Sequence, residues 1–389
     1  MKPHRILFIT QEYSEHDAGG AGVFAQEITA ALAMVGAEVH VLAPGTANRR
    51  VHVRDGLVVH HLKVIRKPLL LVPSFHWQVW RQAKRIVARE HIDTIHCNDS
   101  AGLMALRLRP TVATLHHPVR YELRLSTGLQ TLINLPDVVF ETIVLRRAQR
   151  ITVPSHLVYE LVGKMSQRAQ AKTEVVSNGV GKGFLRAVSG KRIRGELGVG
   201  ADEVLLFFPG GARAKRKGGL DLIAALQKLD GNPHYRCMIS GASREAGWAK
   251  EFQAALERSG LSSRMLFVGE IGYDELPAHY AAADLVAYPS TFEGFGLPVI
   301  EAMASGRAVI ATATGEAPYI IDKSKNGELI QVGDVAGLHR ALKKLLASKT
   351  LRERYGQAGQ KRVAHNFSWP VLAKRMLAIH NAAVKEDTA

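Results

Sequence analysis

The sequence has little that would indicate a disulfide-rich, zinc-binding or membrane-spanning protein. Its 389 residues include only two cysteines, Cys97 and Cys237, which excludes a disulfide framework and a cysteine zinc site. The longest apolar stretch, TLINLPDVVFETIVL, is interrupted by Pro136, Asp137 and Glu141, so we expect no transmembrane helix. The first residues, MKPHRILFIT, indicate a strand rather than a signal peptide. We therefore expect a cytoplasmic protein.

Acidic and aromatic residues are also scarce. Asp and Glu number 35 against 51 Lys and Arg, which gives a net charge of +16, and aromatic residues make up only 6%. Such a basic chain attracts anionic substrates, anionic lipids or nucleic acid, although a merely solvated basic surface has the same composition. Because no nucleic-acid reading motif accompanies the charge, we expect no nucleic-acid partner.

The length exceeds what a single hydrophobic core usually serves, so we expect two domains. The stretches HRILFIT, AQEITAALAMVG and AEVHVLAP predict a strand, a helix and a strand, the opening of a doubly wound α/β sheet. A second series of this kind begins at VLLFFPGG. The polar, basic, Gly-rich stretch between the series, GKGFLRAVSGKRIRGELGVGADE, is typical of a linker between domains.

A glycine turn separates the first predicted strand from the first predicted helix. Gly19, Gly20 and Gly22 lie on this turn, where a backbone without side chains lets a ligand approach closely. The second strand ends at Pro44 without the acidic residue that holds a ribose in dinucleotide-binding folds. This argues against an NAD enzyme.

Polar residues end two further strands of the first series. IDTIHCNDS places Asn98 and Asp99 at the carboxyl edge of the sheet, where ligands bind, and we assign them to the acceptor. PTVATLHHP ends in His116 and His117. Neighbours on a strand point to opposite faces and no third ligand follows at a suitable spacing, so we expect one ligand-facing histidine and no metal site.

The segment at residues 63–90 contains Trp77, Trp80 and several basic residues: Arg81, Lys84, Arg85 and Arg89. Two interpretations fit this composition. A basic helix with aromatic residues can lie on an anionic membrane surface. An ordinary domain helix can pack its tryptophans inward, and this is the interpretation that we favour.

The second series contains a cluster of cations immediately before a predicted helix, GLDLIAALQKL. Positive charges destabilise the N-terminus of a helix unless a bound anion lies between them. The cations of this turn therefore predict a binding site for a diphosphate. The P-loop pattern is absent. The residues of the turn are Gly210, Gly211, Arg213, Lys215, Arg216 and Lys217.

The stretch TFEGFGLPVIEAMASGRAVIATATGEAP, which begins at Thr291, concentrates the strongest signals. It follows a short predicted strand, DLVAYPS, and leads through a Gly-rich turn into a helix with Pro298 in its first turn. The first N–H groups of a helix lack intrahelical partners, so the amides near Gly296 and Leu297 predict a phosphate site. Carboxylates bind phosphate poorly. We therefore expect Glu293 and Glu301 to accept hydrogen bonds from hydroxyls on either side of the phosphate.

The segment PSTFEGFGLPVIEAMASG closely resembles the E-x7-E signature of glycosyltransferase family 4. SNGV at residues 177–180 resembles the family's P-N-G-V element, with Ser177 in place of proline, and RKG resembles a variant seen in lipopolysaccharide-type enzymes. Tyr319 departs from the family, which usually has a glutamate there. The resemblance implies the α/β GT-B fold of two facing Rossmann-like domains with an interdomain cleft. It places these domains at residues 1–182, with a returning helix at about 369–389, and at residues 183–368.

The resemblance also implies site residues. His116, aligned through Thr114, would position the sugar, and the backbone at Ile271 would meet the nucleobase. Lys217 would bind the diphosphate with Arg213 or Arg216 as its partner, and we favour Arg216. Catalytic roles thus fall to His116, Arg216, Lys217 and Glu293, and donor binding to Gly19, Gly20, Gly22, Gly211, Arg213, Ile271, Gly294, Phe295, Gly296, Leu297 and Glu301.

By resemblance, we expect a retaining glycosyltransferase that needs no metal or other cofactor. Its donor would be a nucleotide diphosphate sugar with the base open among uracil, guanine and adenine. Its acceptor would be a lipid-linked or saccharide hydroxyl in the synthesis of polysaccharide, lipopolysaccharide or glycolipid, with an anionic inner membrane face as a further partner. A nucleotide-sugar epimerase or hydrolase and a non-catalytic membrane adaptor are the alternatives.

Overall fold

The computed structural model describes residues 2–13, 20–65, 70–116, 118–122, 129–211, 215–229, 234–241 and 246–387. Two compact units divide the chain. Unit 1 comprises Met1–Gly179 together with Trp369–Ala389, and unit 2 comprises Val180–Ser368. Each unit is an α/β domain built on its own mostly parallel sheet, as expected for a GT-B fold.

Unit 1 contains an eight-stranded sheet in the order β3-β4-β2-β1-β5-β6-β7-β8. All of its pairings are parallel except that of β3 with β4, at the edge. Its strands are β1 Arg5–Ile9, β2 Glu38–Gly45, β3 Arg49–Arg54, β4 Leu57–Lys63, β5 Thr94–Asn98, β6 Thr111–Thr114, β7 Arg150–Val153 and β8 Thr173–Val175. Its helices before the chain passes to unit 2 are α1 Gly20–Met34, α2 Leu71–Arg89, α3 Val119–Glu122, α4 Leu129–Arg147, α5 His156–Met165 and α6 Gln167–Gln170, with a 3₁₀ turn at Leu103–Ala105.

Unit 2 contains a six-stranded sheet in the order β11-β10-β9-β12-β13-β14, with every pairing parallel. Its strands are β9 Val204–Phe208, β10 Tyr235–Ser240, β11 Met265–Gly269, β12 Leu285–Tyr288, β13 Ala308–Thr312 and β14 Glu328–Ile330. Its helices are α7 Lys182–Leu185, α8 Lys191–Glu196, α9 Gly219–Gln227, α10 Ala246–Ser259, α11 Leu276–Ala282, α12 Leu297–Ala304, α13 Ala317–Ile320, α14 Val335–Ala347 and α15 Lys349–Asn366. Short 3₁₀ turns lie at Lys215–Lys217 and Ser262–Arg264.

The apolar sequences of the central strands explain why the sheet of unit 2 is covered by helices on both faces. VLLFF of β9 and AVIAT of β13 are buried almost throughout, as strands covered by helices on both faces require. The last helix, α16 Trp369–Asp387, packs in unit 1, where Trp369, Leu372 and Met376 join the core between α1 and the sheet.

The predicted linker between domains is wrong. That stretch contains α7 and α8 of unit 2, and their side chains Phe184 and Ile193 are buried in the core. The side chain of Arg194 also donates to Asp284 at 2.9 Å. Two buried apolar side chains and one half-buried ion pair thus order a segment whose overall composition is polar.

The favoured interpretation of residues 63–90, that the tryptophans pack inward, is also wrong. The segment contains the predicted helix, α2, but its buried face consists of Phe75, Val79 and Ile86 with their neighbours. Trp77 and Trp80 are 52% and 59% exposed. Within the described residues, no helix combines the length and the apolar character that crossing a membrane requires.

Buried polar side chains attach α16 to the sheet of unit 1. Nδ1 of His380 lies 2.8 Å from Oγ1 of Thr94, and Nε2 of His380 lies 3.1 Å from Nδ1 of His96. Nε2 of His96 lies 2.9 Å from Oγ1 of Thr114. Burial lowers the pKa of His96 to about 3 and that of His380 well below its usual value, so both rings are neutral.

These two histidines should make stability depend on pH. Their pKa values are lower in the folded than in the unfolded chain, so their contribution is complete above pH 6.5 and is lost as the pH falls towards 3. The wild type should lose thermal stability between pH 7.5 and 5.5, and we expect His380→Gln to lose less. The difference in the free energy of unfolding should be roughly 1 kcal/mol per pH unit below pH 6. Thermal unfolding at several pH values measures this. His52→Gln, at an exposed site on β3, is the control, and an equal pH dependence in both variants would contradict the assignment.

Candidate functional site

The order of the second sheet creates a crevice between β9 and β12. From β9 the chain proceeds through α9 to β10 on one side, whereas β12 and β13 extend on the other, so the connections that follow β9 and β12 separate at their carboxyl ends. Ligands of doubly wound sheets bind at such a switch point. Lys217 lies in the connection after β9, and Glu293 lies in the connection after β12.

Backbone contacts join these two connections. The carbonyl of Arg216 accepts from the amide of Thr291 at 2.7 Å and from the hydroxyl of Ser290 at 3.0 Å. Gly218 has a φ of +78°, and a Cβ there would lie 1.9 Å from the carbonyl oxygen of Pro289. Only glycine allows this approach, which places the Lys217 side chain beside the loop that follows β12.

The carboxylate of Glu293 is the centre of the site. Its Oε1 accepts from Nζ of Lys217 at 2.7 Å, from the guanidinium of Arg216 at 3.0 Å, and from the hydroxyls of Tyr288 at 2.8 Å and Ser290 at 2.7 Å. All four donors reach the same oxygen. Within the described residues none reaches Oε2, which is therefore the atom that a ligand hydroxyl can use.

Electrostatics keep this carboxylate ionised. Burial alone would raise the pKa of Glu293, but Lys217 and Arg216 outweigh burial and hold it below its usual value. The Lys217 side chain is 14% exposed, whereas that of Arg216 is 45% exposed. Lys217 is the better-shielded cation, and its charge should act more strongly on a bound anion.

The glycine-rich turn after Glu293 leads into α12. Gly296 has a φ of +99° and immediately precedes the helix, while Phe295 is buried in the core of unit 2. A Cβ on Gly315 would lie 2.4 Å from the carbonyl oxygen of Phe295, so the loop after β13 packs directly on this turn. The first amides of α12, beginning at Leu297, have no carbonyl partner within the helix, so they can donate to an anion.

Glu301 is buried within α12 and differs from Glu293. It accepts from the hydroxyl of Tyr280 at 2.8 Å. Burial raises the pKa of Glu301 to about 7, because its one hydrogen bond and distant Lys217 only partly offset desolvation. One carboxylate of the pair is thus charged at pH 7, and the other titrates near that pH.

The remaining donor-site predictions in unit 2 lie in the connections after strands of its sheet. Gly211 follows β9, where a Cβ would overlap the ring of Phe208 at 1.9 Å, and the amide of Gly210 donates to Ser240 at 2.7 Å. Ile271 follows β11 and is half-buried. Gly294 lies in the turn before α12. Arg213 lies outside the described residues, whereas Arg216 is in contact with the site.

The predictions in unit 1 form a second cluster. Nε2 of His116 donates to Oδ1 of Asn98 at 2.8 Å, and the amide of His116 donates to the carboxylate of Asp99 at 2.9 Å. Asn98 also donates to Thr10, which follows β1. Because β1 and β5 flank the switch point of this sheet, the cluster occupies the position in unit 1 that Lys217 and Glu293 occupy in unit 2.

Helix α1 begins earlier in the chain than predicted, so two of the three predicted turn glycines lie within the helix. Gly20 is the first residue of α1 and Gly22 lies within its first turn, whereas Gly19 and His117 lie outside the described residues. Among the residues that the structure places, no group of three or more histidine, cysteine or carboxylate side chains converges as metal ligands. His116, the predicted ligand-facing histidine, is hydrogen-bonded to the side-chain amide of Asn98.

Sequence reasoning missed several residues of the site. Tyr288 and Ser290 bond Glu293, Tyr280 bonds Glu301, and Gly218 and Gly315 allow the close approaches described above. The consecutive glycines after RK were a local signal for a left-handed turn. Nothing local distinguishes the two tyrosines from other apolar positions of their strand and helix.

Comparisons with known proteins identify the family and the fold. The model of glycosyl transferases group 1 matches residues 191–362, and that of Glycosyltransferase Family 4 matches residues 18–181. An uncharacterised glycosyltransferase from Methanocaldococcus jannaschii is 24% identical over 98% of this chain and 99% of its own length. Sucrose-phosphate synthase from Thermosynechococcus elongatus superposes with a TM-score of 0.80 at 22% identity, covering 98% and 100% of the two chains. Anabaena HepE, solved with UDP-glucose, gives 0.75 at 23% identity, covering 97% and 99%.

The contact at Gly218 can be tested by substitution. Gly218→Ala adds a methyl group against Pro289 and disfavours the positive φ, so we expect a loss of stability on the order of 2 kcal/mol and displacement of Lys217. Thermal unfolding measures the first effect. Gly195→Ala is the matched control, since a Cβ there meets no atom within 4 Å, and equal stability of the two variants would contradict the proposed constraint.

Proposed function

The chain belongs to glycosyltransferase family 4, and from this premise we propose that it moves a sugar from a nucleotide diphosphate sugar to an acceptor hydroxyl with retention of configuration. The observation that carries the proposal is the group formed by Lys217, Arg216 and Glu293 beside the first turn of α12. This group combines two cations and free helix amides for a diphosphate with an ionised carboxylate for neighbouring hydroxyls. HepE, which was solved with UDP-glucose, is an example of the fold with such a donor.

The diphosphate would compete with Glu293 for the cations. Both Lys217 and Arg216 bond the carboxylate in the described structure, so a phosphate oxygen would take N–H groups that now donate to Glu293. A bound diphosphate would lie between these cations and the amide of Leu297. Oε2 of Glu293 would then accept from hydroxyls of the sugar, and Glu301, on the opposite side, would accept from the ribose.

Catalysis would come from stabilising the leaving group. As the bond from the anomeric carbon to the diphosphate oxygen breaks, negative charge accumulates on the diphosphate, where Lys217, Arg216 and the helix amides would stabilise it. The acceptor oxygen would attack from the face that the diphosphate leaves, and its proton would pass to the departing phosphate oxygen. Retention follows from that geometry, and the cations fill the role that a metal has in other transferases. The role of His116 in positioning the sugar stays a prediction.

The acceptor is proposed as a lipid-linked or saccharide hydroxyl, in the synthesis of polysaccharide, lipopolysaccharide or glycolipid. A lipid-linked acceptor would place the reaction at the inner face of a membrane. Hydrolysis of the donor is the competing reaction. Product analysis with and without acceptor distinguishes transfer from a nucleotide-sugar hydrolase.

Lys217→Ala tests the proposed leaving-group contact. Removing a shielded charge from the transition state should reduce kcat/KM about 100-fold, the equivalent of roughly 3 kcal/mol, while the fold is retained. Lys215→Ala is the matched control, because Lys215 is 69% exposed and lies 3.7 Å from Glu251 rather than in the site. Steady-state kinetics with circular dichroism makes the comparison. Unchanged turnover in Lys217→Ala would contradict the mechanism.

The raised pKa of Glu301 predicts a pH dependence of donor binding. An ionised carboxylate accepts from both ribose hydroxyls, whereas a protonated one accepts less well, so affinity for a nucleoside diphosphate should rise several-fold between pH 6 and pH 8. A 2′,3′-dideoxy analogue has the same phosphates and no ribose hydroxyls. Titration calorimetry should show a weaker pH dependence for the analogue and for Glu301→Gln. If the wild type with the nucleoside diphosphate, the wild type with the analogue and the Glu301→Gln variant all show the same pH dependence, Glu301 does not bind the ribose.

A further inference from the structure

Helix α2 exposes an aromatic and basic surface that the fold does not use. Trp77 and Trp80 are 52% and 59% exposed, and Leu70 and Leu71, where the helix begins, are 45% and 39% exposed. The opposite side of α2 is already buried in the core of unit 1 through its own apolar residues. The exposed tryptophans therefore contribute little to folding, and a cluster of this kind is typical of a surface that binds a partner.

The exposed residues occupy one continuous side of the helix. At 3.6 residues per turn they cover about half of its circumference, and the buried residues cover the rest. We call this surface the α2 face, and it consists of Leu70, Leu71, Trp77, Trp80, Arg81, Lys84 and Arg85. The guanidinium of Arg81 lies 4.6 Å from the ring centroid of Trp77, a cation–π contact that holds the indole at the surface among the basic groups.

The charge of the α2 face is uniformly positive. No acidic residue occurs in Leu71–Arg89, and Arg89 at its end is paired with Glu90. Within the described part of the chain no carboxylate forms an ion pair with Arg81, Lys84 or Arg85. Three basic groups thus remain available to an external anion, next to two tryptophans and two leucines.

The apolar residues lie at one end of the face and are supported by β4. The hydroxyl of Ser74 accepts from the amide of Ile65 at 3.0 Å, and the side chain of Gln78 donates to the carbonyl of Lys63 at 3.2 Å. These bonds attach the chain after β4 to the first turns of α2. Ile65, which is 51% exposed, therefore lies near the exposed leucines and extends the apolar end.

We propose that the α2 face docks unit 1 onto the surface of an anionic phospholipid bilayer. Indole rings partition to the headgroup level of a membrane, and basic side chains bind its anionic headgroups. An interfacial helix has both on one face, with apolar residues that enter the bilayer only shallowly. The inference goes beyond sugar transfer and does not depend on it, since it concerns a surface of unit 1 outside both candidate sites.

Vesicle co-sedimentation tests the docking surface with the full-length protein. At low salt we expect binding to phosphatidylcholine vesicles that contain phosphatidylglycerol, little binding to phosphatidylcholine alone, and release at high salt. Replacing Arg81, Lys84 and Arg85 by glutamine should weaken binding about 100-fold, at roughly fivefold for each basic residue. Trp77→Ser with Trp80→Ser should weaken it at least 10-fold and abolish a blue shift of tryptophan fluorescence on binding.

A second triple variant controls for the loss of net charge. Lys325, Arg340 and Lys349 are 77%, 71% and 80% exposed in unit 2, and their replacement by glutamine removes the same charge. We expect this control to bind vesicles like the wild type. Equal weakening in both triple variants, or no binding of the wild type to anionic vesicles at low salt, would overturn the proposal. Unchanged melting temperatures verify that the exposed substitutions leave the fold intact.

Discussion

The candidate site of unit 2 depends on one buried carboxylate. Oε1 of Glu293 accepts from Lys217, Arg216, Tyr288 and Ser290, and these contacts join the connection after β9 to the connection after β12. The cost of burying this negative charge is offset only because two cations and two hydroxyls surround the same oxygen. The same contacts hold both cations to the loop that leads into α12, where we propose that the diphosphate binds.

The two units solve a similar problem in different ways. Each brings polar side chains to the switch point of a parallel sheet, but unit 1 pairs an amide with an imidazole, Asn98 with His116, where unit 2 pairs a carboxylate with two cations. Amide and imidazole groups can hydrogen-bond to hydroxyls, whereas cations suit a diphosphate. The difference in chemistry agrees with a donor diphosphate in unit 2 and sugar or acceptor groups near unit 1.

The sequence predicted the features that are local in the chain. The strand, glycine turn and helix from Leu285 to Ala304 could be located because apolar periodicity, Pro298 and glycines all indicate them within one segment. The contacts of the tyrosines could not be predicted from the sequence, because Tyr288 and Lys217 are 71 positions apart and meet only through strand pairing. The orientation of α2 was predicted wrongly although a signal existed, since Phe75, Val79 and Ile86 already form a complete apolar stripe.

The most direct test of the donor site is thermal unfolding with a panel of UDP-, GDP- and ADP-sugars, with and without EDTA. A ligand at 100 times its dissociation constant stabilises the folded protein by about 3 kcal/mol. We expect sugars of one base to raise the unfolding temperature and EDTA to leave that rise unchanged. An unfolding temperature that no nucleotide sugar raises, or a rise that EDTA abolishes, would contradict a diphosphate site formed by Lys217, Arg216 and α12.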